Sequence, residues 1–473
     1  MSLSRRLFMK SALASAMTGA TMSTLAPSLQ QFQAQAANAS GYKALVCLFL
    51  FGGLDTHDIL IPYDSSSYSA YGEIRQGLIA RYAAQDGNSR ARAQLLPLAP
   101  ENAADFAGRQ FALPPELPGI HSLFQSGRAA VVANVGPLAE PTTRVQFNNR
   151  SVALPARLYS HNDQQSTWMA NQPEGAQFGW GGRFADAILR SGSAQIPEFT
   201  AITTQGNQVF LTGENVLPFP VDLNGAGRFD LVEAFRDNPF GQDGNRTYER
   251  LRAHFLESGN RSNLIERDMG LALSGALEKN EAFNSAVENA PELQTEFPGS
   301  GISRQLQAVA QTIATRNTLL MNRQVFFVGR GGFDTHSNQA GNLPRIMGEI
   351  DAAITAFQAA LEEIGAADDV VLFTASDFGR TLAINDDGTD HGWGSHHFVI
   401  GNAVRGNRIY GDVPPPSFEH DYDSGHGRLI PTLSVTQFAG SLGRWFGLND
   451  SELLSALPGL AAFDPTASAA SFV

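Results

Sequence analysis

The stretch from Asp368 to Gly401 reads DDVVLFTASDFGRTLAINDDGTDHGWGSHHFVIG, and the fold expected for the chain follows from it. Its apolar, β-rich run 370–374 is typical of a strand buried in a parallel sheet. That run leads directly into Asp377, and a second apolar run, 398–400, follows a cluster of histidines at 391–397. Carboxylates and imidazoles at a buried strand end carry a large desolvation cost, which a divalent metal ion compensates. The stretch therefore predicts a metal site.

Two other predicted strands end in one shared motif. The run 43–51 continues into Gly-Gly-Leu-Asp-Thr-His at 52–57, and the run 324–328 leads to Gly-Gly-Phe-Asp-Thr-His at 331–336. Glycines permit tight backbone turns, and open α/β sheets bind ligands outside the carboxyl ends of their strands. Together with the strand that ends at Asp377, these motifs predict one crevice lined by aspartates and histidines.

Aspartate and histidine side chains in this combination suit zinc or another first-row divalent ion. We expect the ligands among Asp55, Asp334, His336, Asp377, His391 and His397. His396 is the alternative to His397, because adjacent strand residues point to opposite faces. The sharpest form of the prediction is that Asp334, His336 and His391 share one ion. For each residue alone, an ordinary capping or hydrogen-bonding role explains the sequence as well.

Two further residues are candidates for catalysis. Ser160 precedes His161 at a predicted helix start, where backbone N–H groups and the helix dipole would support an oxyanion. Simple capping of that helix is the alternative role for Ser160. Arg380 follows the Asp377 strand end, and its guanidinium is suited to bidentate pairing with phosphate or sulfate.

The composition narrows the class of protein. In 473 residues, 43% are hydrophobic and 17% are charged, which indicates a globular chain. The net charge of −13 disfavours nucleic acid and anionic lipid as partners. Cys47 is the only cysteine, so no intrachain disulfide forms, and its apolar neighbours predict a small buried hydrophobe.

The N-terminus has the pattern of a twin-arginine signal peptide over residues 1–39. Arg5 and Arg6 precede a weakly apolar run at 11–26, and small-residue cleavage sites follow at 34–36 and 37–39. We therefore expect a periplasmic or secreted protein that meets the twin-arginine translocase during export. No later segment has the length and apolarity of a membrane span.

The mature chain, residues 40–473, is expected to be a single α/β domain with a mostly parallel central sheet flanked by helices. Further strands are predicted at 129–134, 199–203 and 208–211, and helices begin at 159 and 179. Other expected features are a helical insertion at about 229–320, an apolar helical stripe at 343–364, a surface loop at 413–428 and a closing helix at 431–446. The striped helix links the Asp334 strand to the Asp377 strand as a right-handed crossover.

These motifs, together with the leader, resemble an exported bacterial family of unknown function that is grouped with the alkaline phosphatase and sulfatase superfamily. The residues that carry the resemblance are GGLDTHD, YSHNDQQ, GWGGR, GGFDTH, SDFGRT and DHGWGSHHFVIG, spread over about 45–446. It implies an alkaline phosphatase/sulfatase-like fold and hydrolysis of phosphate or sulfate esters, in a small anionic substrate or a polysaccharide. It also implies one or two metal ions. Asp55 and Asp377 would serve one, and Asp334, His336 and a histidine of 391–397 the other.

Two departures from that pattern keep a second function open. Phe378 follows Asp377 where the superfamily has a histidine, and the nucleophile has no clear counterpart. No Cys-x-Pro-x-Arg motif is present to make a formylglycine. The alternative to a metal-dependent hydrolase is a non-catalytic exported protein of the same fold that acts in envelope or polysaccharide assembly.

Overall fold

The computed structural model describes residues 41–85, 89–191, 195–227, 261–463 and 471–473, with single positions between 247 and 260. The predicted signal peptide and the first part of the predicted insertion at 229–320 lie outside the described residues.

The strands and helices follow each other along the whole described chain. The strands are β1 (Lys43–Leu50), β2 (Ile61–Pro62), β3 (Leu96–Pro97), β4 (Phe111–Leu113), β5 (Ala129–Gly136), β6 (Ala201–Thr203), β7 (Phe219–Asp222), β8 (Gly225–Ala226), β9 (Arg323–Arg330), β10 (Val370–Ser376), β11 (Arg380–Ile384), β12 (Thr389–His391), β13 (Ser395–Ile400), β14 (Ile409–Tyr410) and β15 (Leu433–Ser434). The helices are α1 (Ser65–Ile74), α2 (Gln76–Ala83), α3 (Pro118–Gln125), α4 (Arg144–Asn149), α5 (His161–Ala170), α6 (Trp180–Arg190), α7 (Leu264–Glu288), α8 (Gly301–Ala314), α9 (Gln339–Glu363), α10 (Val435–Phe446) and α11 (Asp450–Ala456).

A ten-stranded mixed sheet forms the centre of the fold. Its order is β14-β5-β13-β10-β1-β9-β6-β7-β8, with β15 beside β5. The central strand β1 pairs in parallel with both β9 and β10, and β6 continues the parallel set beyond β9. The prediction that the three motif-bearing strands lie in one mostly parallel sheet is therefore confirmed. Because all three run the same way, their carboxyl ends meet at one edge.

Both faces of β1 are buried, as its continuous apolar sequence predicts. Leu45, Cys47 and Phe49 belong to one core cluster, while Val46 and Leu48 belong to the other. Helices α8 and α9 contribute to the second core, and α6 and α10 to the first. Cys47 is 2% exposed, so the prediction of a buried small hydrophobe is confirmed.

Helix α9 makes the predicted crossover from β9 to β10, and its apolar stripe lies in the core. Helices also begin near 159 and 179 as predicted, at His161 and Trp180. The closing helix begins at Val435, where Ser434 and Gln437 form a capping box. None of the helices in the described part of the chain has the length and hydropathy needed to cross a bilayer.

The predicted strand at 208–211 is wrong. Val209–Leu211 form a single 3-10 turn, and Phe210 packs its ring 4.6 Å from that of Trp180. An apolar run this short has no periodicity that distinguishes a strand from a turn. Burial of Phe210 on the sheet face decides the conformation.

Candidate metal centre

The candidate site lies at the carboxyl edge of the sheet, around the carboxylate of Asp334. Asp334 follows β9, and the backbone of the Gly52 turn after β1 lies against it. Gly52 has φ of 119°, and a Cβ there would lie 2.3 Å from the Asp334 backbone nitrogen. Only glycine fits this close approach of the two strand ends.

Three histidines direct Nε2 atoms to the Asp334 carboxylate. The Nε2 atoms of His336 and His391 lie 3.2 Å and 3.3 Å from its Oδ1. Nε2 of His161 lies 3.6 Å from Oδ2. His336 and His391 also face each other, with their Nε2 atoms 2.8 Å apart. The predicted trio of Asp334, His336 and His391 is thus brought together, and α5 adds His161.

The other ring nitrogen of each histidine is held by a group that only accepts hydrogen bonds. Nδ1 of His161 lies 2.6 Å from Oδ2 of Asp377. Nδ1 of His391 lies 2.9 Å from the Tyr159 carbonyl oxygen, and Nδ1 of His336 lies 3.2 Å from Asp390. These partners assign the proton to Nδ1, so the Nε2 lone pairs converge.

This donor set fits a divalent ion. Two unprotonated Nε2 atoms at 2.8 Å repel each other unless a proton or a cation lies between them. A tetrahedral zinc ion, with bonds of about 2.0–2.1 Å, places its ligands ~3.3 Å apart. The four separations around Asp334, from 2.8 to 3.6 Å, bracket that value. One ligand atom each from His161, Asp334 and His391 also lie within 4.8 Å of one another.

The electrostatic surroundings favour the ligating form of two of these groups. Burial opposes ionisation of Asp334, but the hydrogen bond and charge of Arg380 lower its pKa below the ordinary value. Burial also lowers the pKa of His391. The hydrogen bond to Asp377 raises the pKa of His161. Asp334 is therefore an anion and His391 a neutral imidazole near neutral pH, as metal ligation requires.

Asp377 adjoins the cluster but does not face its centre. Its side chain is fully buried, Oδ1 accepts the Gly52 N–H at 3.1 Å, and Oδ2 accepts from His161 and from Gln165. The next residue, Phe378, packs its ring 4.9 Å from that of His161 and 4.6 Å from that of His391.

Two of the predicted ligands lie apart from the cluster. Both oxygens of Asp55 accept from the guanidinium of Arg75, at 2.7 and 2.9 Å. His397 is buried on β13, with Nδ1 3.2 Å from Thr374 Oγ1 and its ring against Trp168. The alternative, His396, accepts a hydrogen bond from the Asn134 N–H. Asp55 is thus committed to an ion pair, and the two β13 histidines to the core.

The two candidate catalytic residues are engaged inside the protein. Ser160 occupies the N-cap position of α5, and its hydroxyl donates to Asp163 at 2.9 Å. Arg380 is fully buried and donates to Asp334, the Gly52 carbonyl and Thr389. The expectation that Arg380 clamps a substrate anion does not fit this position, because its donors are already used. It holds the Asp334 carboxylate instead.

His161 is the functional residue that sequence reasoning missed. It appeared only as the neighbour of Ser160, because no strand end delivers it. Tyr159, with φ of 71°, places its carbonyl on His391 two residues before His161 enters the site. The YSHNDQQ motif was the available signal, since it packs polar residues at one helix start.

Burial of neutral histidine predicts loss of stability in acid. Burial lowers the pKa of His397 from 6.5 to about 3, and similar values hold for His57 and His396. Between these two pH values the unfolded chain binds a proton that the folded chain does not, so stability falls as pH falls. Each such group contributes about 1.4 kcal/mol per pH unit.

The variant His397→Gln should therefore flatten the pH dependence of unfolding by about one proton between about pH 6 and pH 4. Urea unfolding at a series of pH values measures that slope. The exposed His121, changed to Gln, is the control and should leave the slope as it is. An unaltered slope in His397→Gln would show that His397 is not buried as the neutral form.

The fold and the site together define an α/β protein with a candidate divalent-metal centre at the carboxyl edge of a mostly parallel sheet. The chain belongs to the family described as "Protein of unknown function (DUF1501)", whose model matches residues 42–457. The comparison with curated proteins found no match.

Several solved structures are similar to the chain at low identity. One is Ps i-CgsB in complex with k-i-k-neocarrahexaose, with 10% identity, 90% of this chain and 78% of that chain covered, and a TM-score of 0.33. The lipoteichoic acid synthase LtaP from Listeria monocytogenes has 8% identity, with 90% and 78% covered and a TM-score of 0.31. A mutant of the alkaline phosphatase PafA has 11% identity, with 73% and 64% covered and a TM-score of 0.24. Similarities at this level assign neither an activity nor a substrate to this chain.

Proposed function

We propose that the protein is an exported hydrolase of phosphate or sulfate esters that depends on a divalent ion at the Asp334 cluster. Asp334, His161 and His391 would hold the ion, and His336 adjoins them. The observation that carries the proposal is the convergence of Nε2 lone pairs on one ionised carboxylate, each imidazole held at Nδ1 by an acceptor. Its substrate would be a small anionic ester or an anionic polysaccharide.

The site is open to solvent, as a catalytic rather than a structural metal centre requires. The side chains of Asp334 and His336 are 47% and 43% exposed. An ion bound there would polarise an ester oxygen and lower the pKa of a bound water. Within the protein, Arg380 holds Asp334 and Asp377 holds His161, so two ligands are fixed from below. Water is the proposed nucleophile, because the Ser160 hydroxyl is directed to Asp163.

The non-catalytic alternative has its own support. Ser160 and Arg380, the two residues expected to carry catalysis, both form internal hydrogen bonds. Such a protein would hold the ion at the same cluster and act in envelope or polysaccharide assembly without turning over an ester. Metal content does not distinguish the two functions, but ester hydrolysis does.

The test is to purify the mature protein without added chelator and measure both properties. Metal content is read by mass spectrometry, and hydrolysis is read with p-nitrophenyl phosphate and p-nitrophenyl sulfate. The hydrolase requires bound metal and turnover that both fall in His391→Ala, while the exposed control His121→Ala keeps both. Bound metal with no turnover supports the non-catalytic function, and absence of metal overturns both.

Export is tested at the twin-arginine pair. Replacing Arg5 and Arg6 with lysine keeps the charge but removes the pair that the twin-arginine route reads. We expect the precursor to accumulate in the cytoplasm of a bacterial host, as measured by fractionation and immunoblotting. Equal periplasmic recovery of the double variant and the native chain would exclude this route.

A further inference from the structure

A second metal ion at this edge of the sheet would need the carboxylates of Asp55 and Asp377. They follow neighbouring strands, β1 and β10, and their side chains are fully buried. The motif resemblance implies an ion between them. In the structure, neither carboxylate has an oxygen left for it.

Asp55 already has a cation. Arg75 donates to both of its oxygens, and Gln339 donates to Oδ2 at 2.6 Å. Arg75 is fixed in turn, because it also donates to the backbone carbonyls of Thr381 at 2.7 Å and Leu382 at 3.1 Å. A metal ion at Asp55 would have to displace a buried guanidinium that has no access to water.

Asp377 is used for a different purpose. It accepts from the Gly52 N–H, from Gln165 and from Nδ1 of His161, so it fixes the ring whose Nε2 faces Asp334. The residue after it, Phe378, is apolar and packs on His161 and His391, where the resemblance implies another ligand. Carboxylates that hold a ligating imidazole in this way orient the ligand rather than bind the ion.

The charges of the site support one ion. Asp55, Asp334 and Asp377 supply three negative charges, and the buried guanidiniums of Arg75 and Arg380 supply two positive ones. One divalent ion already exceeds the remaining negative charge. A second would add two further positive charges beside two buried cations, where low solvent access makes repulsion strong.

We infer that the centre binds a single divalent ion at Asp334, that the guanidinium of Arg75 takes the place of a second cation, and that Asp377 is a positioning residue acting through His161. The inference rests on the proposed function, since it presumes that the Asp334 cluster binds metal. It differs from that function in the number of ions and in the role of Asp377.

The first experiment measures stoichiometry. The purified full-length mature protein is stripped of metal and titrated with Zn²⁺ by calorimetry, and the metal retained after gel filtration is counted. One tight equivalent is expected. Two tight equivalents would overturn the inference and leave the proposed metal dependence intact, whereas no binding would overturn the proposed function itself.

The second experiment separates positioning from ligation with Asp377→Asn, and the exposed Asp368→Asn is the control. Loss of a partner that orients a ligand raises the Kd for Zn²⁺ by about 10–100-fold, so one equivalent should remain but bind more weakly. The visible spectrum of the Co²⁺-substituted protein should also shift, because the His161 ring is released. An unchanged Kd and Co²⁺ spectrum would exclude the positioning role, and loss of one of two equivalents would make Asp377 a ligand.

Discussion

Changing His161 to alanine should raise the Kd for Zn²⁺ by more than the roughly 100-fold that marks the upper range for loss of a second-shell partner. The expected loss is larger because Nε2 of His161 is a ligand atom, 3.6 Å from Asp334 Oδ2. The fold should survive, since the His161 side chain is 31% exposed and stands at the first turn of α5. Zn²⁺ calorimetry on the metal-free protein measures the affinity, and circular dichroism checks the fold.

The neighbouring Ser160→Ala is the matched control for this prediction. It removes a hydroxyl that donates to Asp163, so metal affinity should stay near that of the native chain. Ester hydrolysis in Ser160→Ala also tests the nucleophile, because a retained rate supports water and a lost rate with bound metal supports Ser160. A His161→Ala variant that binds Zn²⁺ like the native chain would remove His161 from the centre.

The strand ends could be predicted because local sequence fixes them. Runs such as 43–51 and 370–374 are apolar without interruption, which is the pattern of strands buried on both faces. The Gly-Gly turns then place Asp334 and Asp377 directly after β9 and β10. Once these strands lie parallel beside β1, the carboxylates must meet at one edge, so this part of the site follows from pattern and topology together.

The partners of each side chain could not be predicted in the same way. A buried aspartate binds a metal or an arginine equally well by its residue type, and Arg75 reaches Asp55 from the junction of α1 and α2. His397 differs from His391 only in its distance along the loop and strand, yet it turns into the core beside Trp168. His161 arrives on a helix that no motif of the sheet announces. Contacts of this kind depend on long-range packing, which one sequence does not encode locally.

The buried ion-pair network behind the site gives the largest expected loss of stability. Arg90 is fully buried, donates to both oxygens of Asp58 at 2.8 and 2.9 Å, and also pairs with Glu116. Its guanidinium lies 4.1 Å from the centre of the Tyr82 ring. Arg90→Met leaves two carboxylates without this cation, and breaking such a buried pair typically costs about 3–5 kcal/mol of unfolding free energy.

Urea or guanidinium unfolding of Arg90→Met against the native chain measures the loss, and Arg81→Met is the matched control. Arg81 pairs with Asp386 at the surface, where the two side chains are 46% and 83% exposed, so its loss should cost no more than about 1 kcal/mol. A triple variant that adds Asp58→Asn and Glu116→Gln removes the stranded charges and should recover part of the stability. If the triple variant is as unstable as Arg90→Met alone, packing around the guanidinium stem accounts for the loss rather than uncompensated charge. If Arg90→Met costs no more than Arg81→Met, the network does not stabilise the fold.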